Sequence, residues 1–426
     1  MSEFASLNRG DLRARAAQLD ERYRAFKAQH LALDMTRGKP CPAQLDLSLG
    51  LLDCLGQGDY RAADGSDCRN YGGLDGLPEA RALFADFLEV DPSEVIVGGN
   101  SSLALMYDTV VQALLRGMPG ASAAWRALPG VKFLCPSPGY DRHFAICQHL
   151  GIEMLTVDMT PEGPDMEKVE RLVAADASIK GIWCVPQYSN PTGITFSDAV
   201  VERLAHMRTA APDFRIFWDN AYAVHHLTDA PDRLGNLLAA CTAGGHPDRV
   251  LIFASTSKVS FAGAGVAIMA ASASNVRHLK AGMAVQTIGP DKLNQLRHVR
   301  FFRDMAGIEA HMRKHAAILR PKFATVDEVL TRELGGTGVA EWSRPRGGYF
   351  ISLDTLDGCA TAVAAMAADA GVQLTQAGAT FPYGEDPRDR NIRISPSMPS
   401  VDEIRTAMEL VAVCIQRVSI ARLLER

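Results

Sequence analysis

Between about residue 78 and residue 270, short apolar runs alternate with segments that have the spacing of amphipathic helices. Several runs are apolar on both faces and end at Pro, Asp or Ser-rich turns, which is typical of buried, mostly parallel strands flanked by helices. The runs are Glu94–Gly98, Val131–Cys135, Met154–Val157, Gly181–Val185, Arg215–Trp218, Val250–Ala254 and Val266–Ala270. This alternation predicts a large α/β domain in which helices cover both faces of a central sheet.

A chain of 426 residues is too long for one simple core, so a second domain is expected. A long helical region follows the alternating segment, and the residues after it predict a smaller α+β domain. The first 30 residues predict an amphipathic helix, with apolar residues at Leu12, Ala16, Leu19, Tyr23 and Phe26. We expect an N-terminal segment (1–50) that packs on the small domain, a large α/β domain (51–325) and a small C-terminal domain (326–426).

Charge and hydropathy exclude several classes of protein. The formal net charge is −5 and the basic residues are scattered, which argues against a nucleic-acid partner. The apolar stretches are far shorter than the roughly 20 residues that cross a bilayer, which argues against a membrane protein. The charged N-terminus has no apolar segment of signal-peptide length, and the nine cysteines are dispersed without a CxxC pair. We therefore expect a cytoplasmic protein.

The histidines do not predict a metal site. His311 and His315 are four residues apart on a predicted helix, a spacing that can hold a metal ion. The segment HMRKH is strongly basic and has no glutamate in HExxH form, so it predicts a solvent-exposed helix face. His225 and His226 follow an apolar strand and are expected to line or support a site rather than to bind a metal.

Ligands of open α/β sheets bind at the carboxyl ends of the strands, so the residues that follow each strand carry the functional prediction. Asn100, Ser101 and Ser102 follow the first strand and open a helix, where backbone N–H groups and the helix dipole could hold a phosphate. Taken alone, this segment is explained more simply as a capped helix.

Four further strand ends carry polar or aromatic groups: Tyr140, Asn190, Asp219 with Tyr222, and Lys258 among hydroxyl residues. Each has an ordinary interpretation, as core packing, a turn, a helix N-cap or a lysine whose amine reaches solvent. Together, however, the five strand ends supply a phosphate loop, an aromatic platform, an amide donor, a carboxylate, a phenol and an amine. That set is what a pyridoxal phosphate ring requires.

With these motifs in this order, the chain resembles the fold-type I pyridoxal-phosphate enzymes, specifically class I aminotransferases. Within them it is similar to the aspartate aminotransferase subgroup Ic. The resemblance extends from DMTRGKP near the start to NIRISPSMP near the end. The motifs, which are specific only as an ordered set, are YGGLDGLPEAR, GGNSSLAL, PSPGYDRHF, PQYSNPTG, WDNAY, STSK, IGPDK, PRGGYF and RISPS.

The resemblance implies roles for five residues that act on the substrate or on the reacting atoms. Lys258 attaches covalently to the coenzyme aldehyde and then moves the substrate Cα proton. Asp219 pairs with the protonated pyridine nitrogen. Arg393 holds the substrate α-carboxylate, and Gly38 lies where the backbone approaches the substrate. Tyr71 reaches the phosphate of the neighbouring subunit, which implies a homodimer with shared active sites.

Other matched positions are implied to hold the coenzyme, pyridoxal 5′-phosphate. Asn190 and Tyr222 contact the phenolic oxygen of the ring, and Asn190 also borders the substrate. Tyr140 stacks on the ring face. The implied phosphate-loop residues are Asn100, Ser101, Ser102, Ser255 and Ser257.

Two departures from the family pattern concern positive charge. Val266 occupies the position where the family commonly places an arginine against the phosphate. No arginine occupies IGPDK either, the segment from which dicarboxylate-specific relatives take a clamp for the distal carboxylate. Lys292 in that segment is the first candidate for a substitute, although one lysine cannot be given both roles.

The resemblance implies transamination between an amino acid and a 2-oxo acid, with L-aspartate and 2-oxoglutarate as the expected pair. An aminotransferase of broader or aromatic specificity, or a lyase, stays open because one fold supports several chemistries. A third possibility is a non-catalytic coenzyme-binding domain of a transcription regulator. We do not expect it, because the matched motifs begin by residue 34 and leave no room for a preceding DNA-binding domain.

Overall fold

The structure is a computed structural model that describes residue 4 and residues 7–425. In chain order, the strands of this part are β1 (Leu33–Asp34), β2 (Val95–Val97), β3 (Lys132–Ser137), β4 (Glu153–Thr160), β5 (Gly163–Pro164), β6 (Ile179–Cys184), β7 (Arg215–Asp219), β8 (Val250–Ser255), β9 (Ala267–Ala271), β10 (Ala340–Trp342), β11 (Ile351–Thr355), β12 (Val372–Gln373) and β13 (Asn391–Ile394).

The α-helices of the same part are α1 (Arg9–Lys27), α2 (Pro42–Asp46), α3 (Pro78–Leu88), α4 (Ser102–Arg116), α5 (Asp141–His149), α6 (Met166–Ala175), α7 (Asp198–His206), α8 (Leu237–Ala243), α9 (Ala273–Gln286), α10 (Lys292–Phe302), α11 (Met305–Leu334), α12 (Ala360–Asp369) and α13 (Val401–Glu425). Short 3-10 turns lie at Leu49–Asp53, Pro92–Glu94, Trp125–Ala127, Pro247–Arg249 and Pro382–Gly384.

The largest sheet has eight strands in the order β2-β9-β8-β7-β6-β3-β4-β5. Its central strands, from β4 through β3, β6 and β7 to β8, pair in parallel, whereas β9 pairs antiparallel with β8 and β2, and β5 pairs antiparallel with β4. Every residue of β6 and β7 is buried, as expected for strands covered by helices on both faces. The predicted α/β class with a mostly parallel central sheet is confirmed.

Each face of this sheet has its own apolar core. On one face, Phe133, Trp183, Phe217 and Phe253 form a continuous aromatic layer under α4, α5 and α9. The other face packs against α3, α6, α7 and α8. The strands are therefore fixed from both sides, and their carboxyl ends are held in rigid register.

The C-terminal part forms a separate antiparallel sheet, β10-β11-β13, which packs with α11, α12 and α13 around a third core. The N-terminal segment joins this core. Strand β1 pairs in parallel with β12 through Leu33 and Val372, and α1 buries Leu12 and Leu19 against it. No helix among the described residues has the length and hydropathy needed to cross a membrane.

The prediction that His311 and His315 lie on an exposed helix face is wrong. Both imidazoles are buried, with the His311 Nε2 2.9 Å from the Val259 carbonyl and 3.1 Å from the His315 Nε2. The Gln44 amide donates to the His315 Nδ1 at 3.0 Å. Arg313 and Lys314 between them are exposed, whereas the two histidines face inward. Among the described residues, no group of three or more His, Cys, Asp or Glu side chains could hold a metal ion.

Candidate active site

The polar residues that follow the central strands lie together at the carboxyl-terminal end of the large sheet. Asp219 ends β7, Asn190 follows β6, Tyr140 follows β3, and Lys258 follows β8. Because these four strands are parallel and adjacent, their carboxyl ends lie side by side at the same end of the sheet. The fold itself therefore brings together groups that are far apart in the chain.

Asp219 is a buried carboxylate with one satisfied oxygen and one unsatisfied oxygen. Its side chain is 3% exposed, and its Oδ2 accepts a hydrogen bond from the His143 Nε2 at 3.0 Å. The His143 ring stacks on Trp183 with ring centroids 4.4 Å apart, which fixes the donor. The Oδ1 is buried and has no hydrogen-bond partner among the described residues. Such an oxygen costs about 1–3 kcal/mol unless a donor reaches it, so the site fits a ligand that presents a protonated ring nitrogen.

Lys258 lies in surroundings that favour a neutral amine. Burial lowers its pKa below the ordinary lysine value, and the nearby Asp219 carboxylate offsets only part of that shift. The amine lies 5.2 Å from the centre of the Tyr222 ring and 6.0 Å from that of Tyr349. The His225 Nε2 lies 3.3 Å from the Lys258 carbonyl oxygen, so the backbone of this turn is held as well. A lysine with a lowered pKa can act as a nucleophile and as a base.

The predicted phosphate-loop residues gather at the start of α4. The Ser101 hydroxyl accepts from the Ala104 N–H and caps the helix, and Ser102 is its first residue. The Ser257 hydroxyl donates to the Asn100 carbonyl at 3.4 Å, and the Ser255 hydroxyl donates to that of Ser257 at 3.1 Å. Hydroxyl groups around the N-terminus of a 15-residue helix suit an anion.

Two aromatic side chains shape the space between these groups. Tyr140 is partly exposed at the cavity edge, and its ring meets that of His143 edge-on at 4.9 Å. Tyr222 is buried. Burial is the main cause that raises the pKa of both phenols, and the Asp219 charge adds to it, so both hydroxyls stay protonated and can donate.

Arg393 comes from β13 of the small sheet and reaches across to the large one. Its Nη1 donates to the Asp141 Oδ1 at 2.8 Å and to the Asn190 Oδ1 at 3.4 Å. Its guanidinium carbon lies 4.9 Å from the centre of the Phe350 ring. Gly38 packs closely against the Phe350 ring, because a Cβ at that position would lie 2.3 Å from the Phe350 Cζ. The glycine is needed for close approach rather than for an unusual backbone angle.

The sequence profile described as aspartate amino-transferase matches residues 7–426. An aspartate aminotransferase from Corynebacterium glutamicum is 47% identical over 397 residues, which cover 93% of this chain and 92% of that protein. The chain belongs to the aspartate aminotransferase family. It is an aminotransferase, as the sequence motifs predicted.

Solved structures agree with this assignment. The crystal structure of an aspartate transaminase from Corynebacterium glutamicum superposes with a TM-score of 0.97 at 44% identity and covers 99% of both chains. The α-aminoadipate aminotransferase of Thermus thermophilus, solved with a phosphopyridoxyl-leucine adduct, has a TM-score of 0.73 at 21% identity, over 92% of this chain and 93% of that one. This second likeness shows the fold alone. Pyridoxal phosphate is the cofactor of the family, as predicted.

In this aminotransferase, Lys292 does not present a free amine. Its Nζ donates to the carbonyl oxygens of Asn70 and Gly72 at 2.6 and 2.7 Å. Between these residues, Tyr71 projects with 82% of its surface exposed. Gly289 supports the same loop, because a Cβ there would lie 2.5 Å from the Gly72 carbonyl oxygen. Both ends of the segment IGPDK therefore hold the loop that carries Tyr71.

Position 266, where the family commonly has an arginine against the phosphate, is occupied by an uncharged valine. Val266 is buried, and its backbone N–H and C=O are both bonded to Thr256. Position 266 therefore contributes no positive charge to the site.

Several residues that touch the site of this aminotransferase escaped the sequence analysis: His143 against Asp219, Trp183 under His143, and Asp141 and Phe350 on Arg393. A signal existed for the first of these. His143 lies one helical turn after Tyr140 at the start of α5, so both side chains face the same way.

Proposed function

We propose that the protein transfers the amino group of L-aspartate to 2-oxoglutarate, producing oxaloacetate and L-glutamate. One observation carries the proposal. The Asp219 carboxylate, one oxygen of which has no hydrogen-bond partner among the described residues, lies near the Lys258 amine at the carboxyl ends of neighbouring strands. The choice of aspartate is supported by the name of the relative that is 47% identical over nearly the whole chain. Dicarboxylate specificity has no assigned clamp, because the Lys292 amine already has two acceptors.

The residues of the cavity fit the coenzyme of the family. When bound, pyridoxal 5′-phosphate supplies an aldehyde that accepts the amino group and a cationic ring that withdraws electrons from the substrate Cα. Asp219 would hold the ring nitrogen in its protonated state, and Tyr140 would cover the ring face. Asn190 and Tyr222 would contact the phenolic oxygen. The five hydroxyl and amide residues at the start of α4 would hold the phosphate.

Lys258 and Arg393 carry the steps performed by the chain itself. Arg393 binds the α-carboxylate and, with Gly38 and Asn190 beside it, orients the Cα–H bond toward Lys258. Lys258 takes the proton from the substrate Cα and would deliver it to C4′, the coenzyme carbon on the other side of the transferred nitrogen. Its lowered pKa makes the neutral amine, which is the base, more abundant near neutral pH.

A donor–acceptor activity panel on purified protein tests the proposed reaction. Aspartate with 2-oxoglutarate should give the highest kcat/KM, and phenylalanine and kynurenine should be far poorer donors. Comparable rates with the aromatic donors would reject dicarboxylate specificity in favour of the broader alternative. Release of more than one equivalent of product per active site without any 2-oxo acid would instead identify a lyase, because transamination stops after one half-reaction when no acceptor is present.

Replacing Arg393 by lysine is expected to raise the KM of both the amino acid and the 2-oxo acid by roughly 100-fold. A lysine keeps the charge but cannot form the two parallel hydrogen bonds that a guanidinium gives a carboxylate. The loss of such hydrogen bonds in a buried charge pair typically has an effect of this size. Steady-state kinetics with both substrates measures the effect. Arg344→Lys is the matched control, because Arg344 forms an exposed ion pair with Asp327 and should leave KM unchanged. An equally small change in both variants would reject the role of Arg393.

We also infer that the protein is a cytoplasmic homodimer in which Tyr71 reaches the partner's phosphate site. The exposed Tyr71 ring and the nearby exposed Ile288 support this, because a large apolar side chain in solvent is expected at an interface. Light scattering should give a mass near twice the 46.0 kDa of one chain. The division into residues 1–50, 51–325 and 326–426 also stays a proposal, which limited proteolysis at the predicted boundaries would test.

Lys292→Met distinguishes two roles for that lysine. If the lysine holds the Tyr71 loop, as its two carbonyl contacts favour, then Lys292→Met and Tyr71→Phe should each weaken coenzyme binding by roughly tenfold. The double variant should then bind the coenzyme no more weakly than the weaker-binding single variant. If the lysine itself contacts the phosphate or the distal carboxylate, the two effects multiply. Coenzyme dissociation constants of the three variants measure this coupling.

A further inference from the structure

Arg393 is already paired with a carboxylate of the protein before any substrate binds. The Asp141 Oδ1 lies 2.8 Å from its Nη1, and the two residues are 252 positions apart in sequence. Asp141 is the first residue of α5 on the large sheet, and Arg393 lies in β13 of the small sheet. Their ion pair therefore joins the two sheets across the predicted substrate cleft.

The need for this pair follows from the burial of Arg393. Its side chain is 8% exposed, and a guanidinium buried to that extent is strongly unfavourable without a negative partner. Asp141 is the carboxylate that pairs with it among the described residues, and its own side chain remains 34% exposed. The Arg393 Nε is buried and has no hydrogen-bond partner in the same part of the chain. One edge of the guanidinium is thus occupied, and the Nε side stays available.

We propose that Asp141 is the resident counter-ion of Arg393 in the substrate-free enzyme and that it weakens the binding of the substrate α-carboxylate. The proposal rests on the proposed role of Arg393. A substrate carboxylate that reaches the Nε side places two negative groups on one guanidinium. Their repulsion raises the KM of both substrates, so Asp141 sets how tightly the enzyme holds every carboxylate that enters the site.

Asp141 does not act mainly by positioning Arg393, because other contacts fix that side chain. The guanidinium rests on the Phe350 ring at 4.9 Å, and its Nη1 also donates to Asn190 at 3.4 Å. Phe350 is itself packed against Gly38. Removal of the Asp141 charge therefore leaves the arginine in place with a stronger positive field toward the cleft.

The test is Asp141→Asn in the coenzyme-loaded enzyme, which removes the charge and keeps an oxygen that can accept from Arg393. We expect the KM of the amino acid and of the 2-oxo acid to fall by roughly fivefold each, the equivalent of about 1 kcal/mol. The melting temperature of the substrate-free enzyme should fall at the same time, because the buried guanidinium has lost its partner. Tighter substrate binding together with a less stable protein is a combination that structural damage does not produce.

Asp357→Asn is the matched control, since Asp357 pairs with Arg388 at 3.0 Å in an ion pair about half-exposed on both sides. It should change neither KM nor the melting temperature by a measurable amount. Asp141→Ala is the second variant and should lower both KM values as well, because it removes the same charge. An unchanged or raised KM in both Asp141 variants would overturn the proposal while leaving transamination intact. Failure of the wild-type enzyme in the activity panel would instead overturn the proposed function.

Discussion

Replacement of Lys258 by alanine is expected to lower kcat for transamination by at least about 10⁴-fold, the upper range of the contribution of a positioned acid–base group. In the proposed mechanism this amine both attaches to the coenzyme and moves the Cα proton, and burial lowers its pKa. The His225 imidazole also packs against the Tyr222 and Tyr349 rings, with ring centroids 5.7 and 5.6 Å apart, but an imidazole cannot attach to an aldehyde as a primary amine does. His225 lies behind the lysine, and its Nε2 contacts the main chain.

Covalent attachment gives a readout that does not depend on turnover. After borohydride treatment, the mass of the wild-type chain should increase by one reduced coenzyme, and the mass of Lys258→Ala should not. Lys258→Arg is the control, because it keeps a positive charge and a long side chain but cannot attach. It should fail in both assays as alanine does. Attachment of the coenzyme to the alanine variant would show that another amine is the nucleophile.

The parts of this site that could be predicted are those that depend on one strand at a time. A parallel sheet brings the carboxyl ends of its central strands to the same end of the sheet. Asp219 and Lys258 could therefore be placed together from the alternation of apolar runs and helices alone. The same argument placed Asn190 and Tyr140. Their shared position is a consequence of topology, and local sequence is enough to recognise it.

The parts that could not be predicted depend on contacts between distant elements. The Asp141–Arg393 pair links α5 to a strand of the other sheet, and no local pattern specifies how the two sheets are oriented. The two acceptors of Lys292 are carbonyl oxygens, which every residue carries and which therefore leave no mark on the sequence. His311 and His315 were misjudged because exposed basic neighbours in HMRKH dominated the pattern, although both imidazoles face inward.

The half-satisfied state of Asp219 suggests that activity and stability are opposed at this residue. A buried carboxylate oxygen with no donor destabilises the coenzyme-free protein by about 1–3 kcal/mol. The same oxygen is what a cationic ring nitrogen would need in the loaded enzyme. Residues that work in this way are expected to cost stability where they serve function.

Asp219→Asn separates these two effects, because asparagine has the same size and keeps an oxygen that can accept from His143. Turnover should fall by about 10³-fold, the size found when one preorganised electrostatic partner of the reacting atoms is removed. The melting temperature of the coenzyme-free protein should stay the same or rise, since a neutral amide is less costly to bury than a carboxylate with a free oxygen. His143→Phe is the companion variant: it removes the donor to the other oxygen, so it should lower both activity and stability. A parallel loss of activity and stability in Asp219→Asn would mean that the carboxylate serves the fold, and the assignment of the ring-nitrogen partner would then fail.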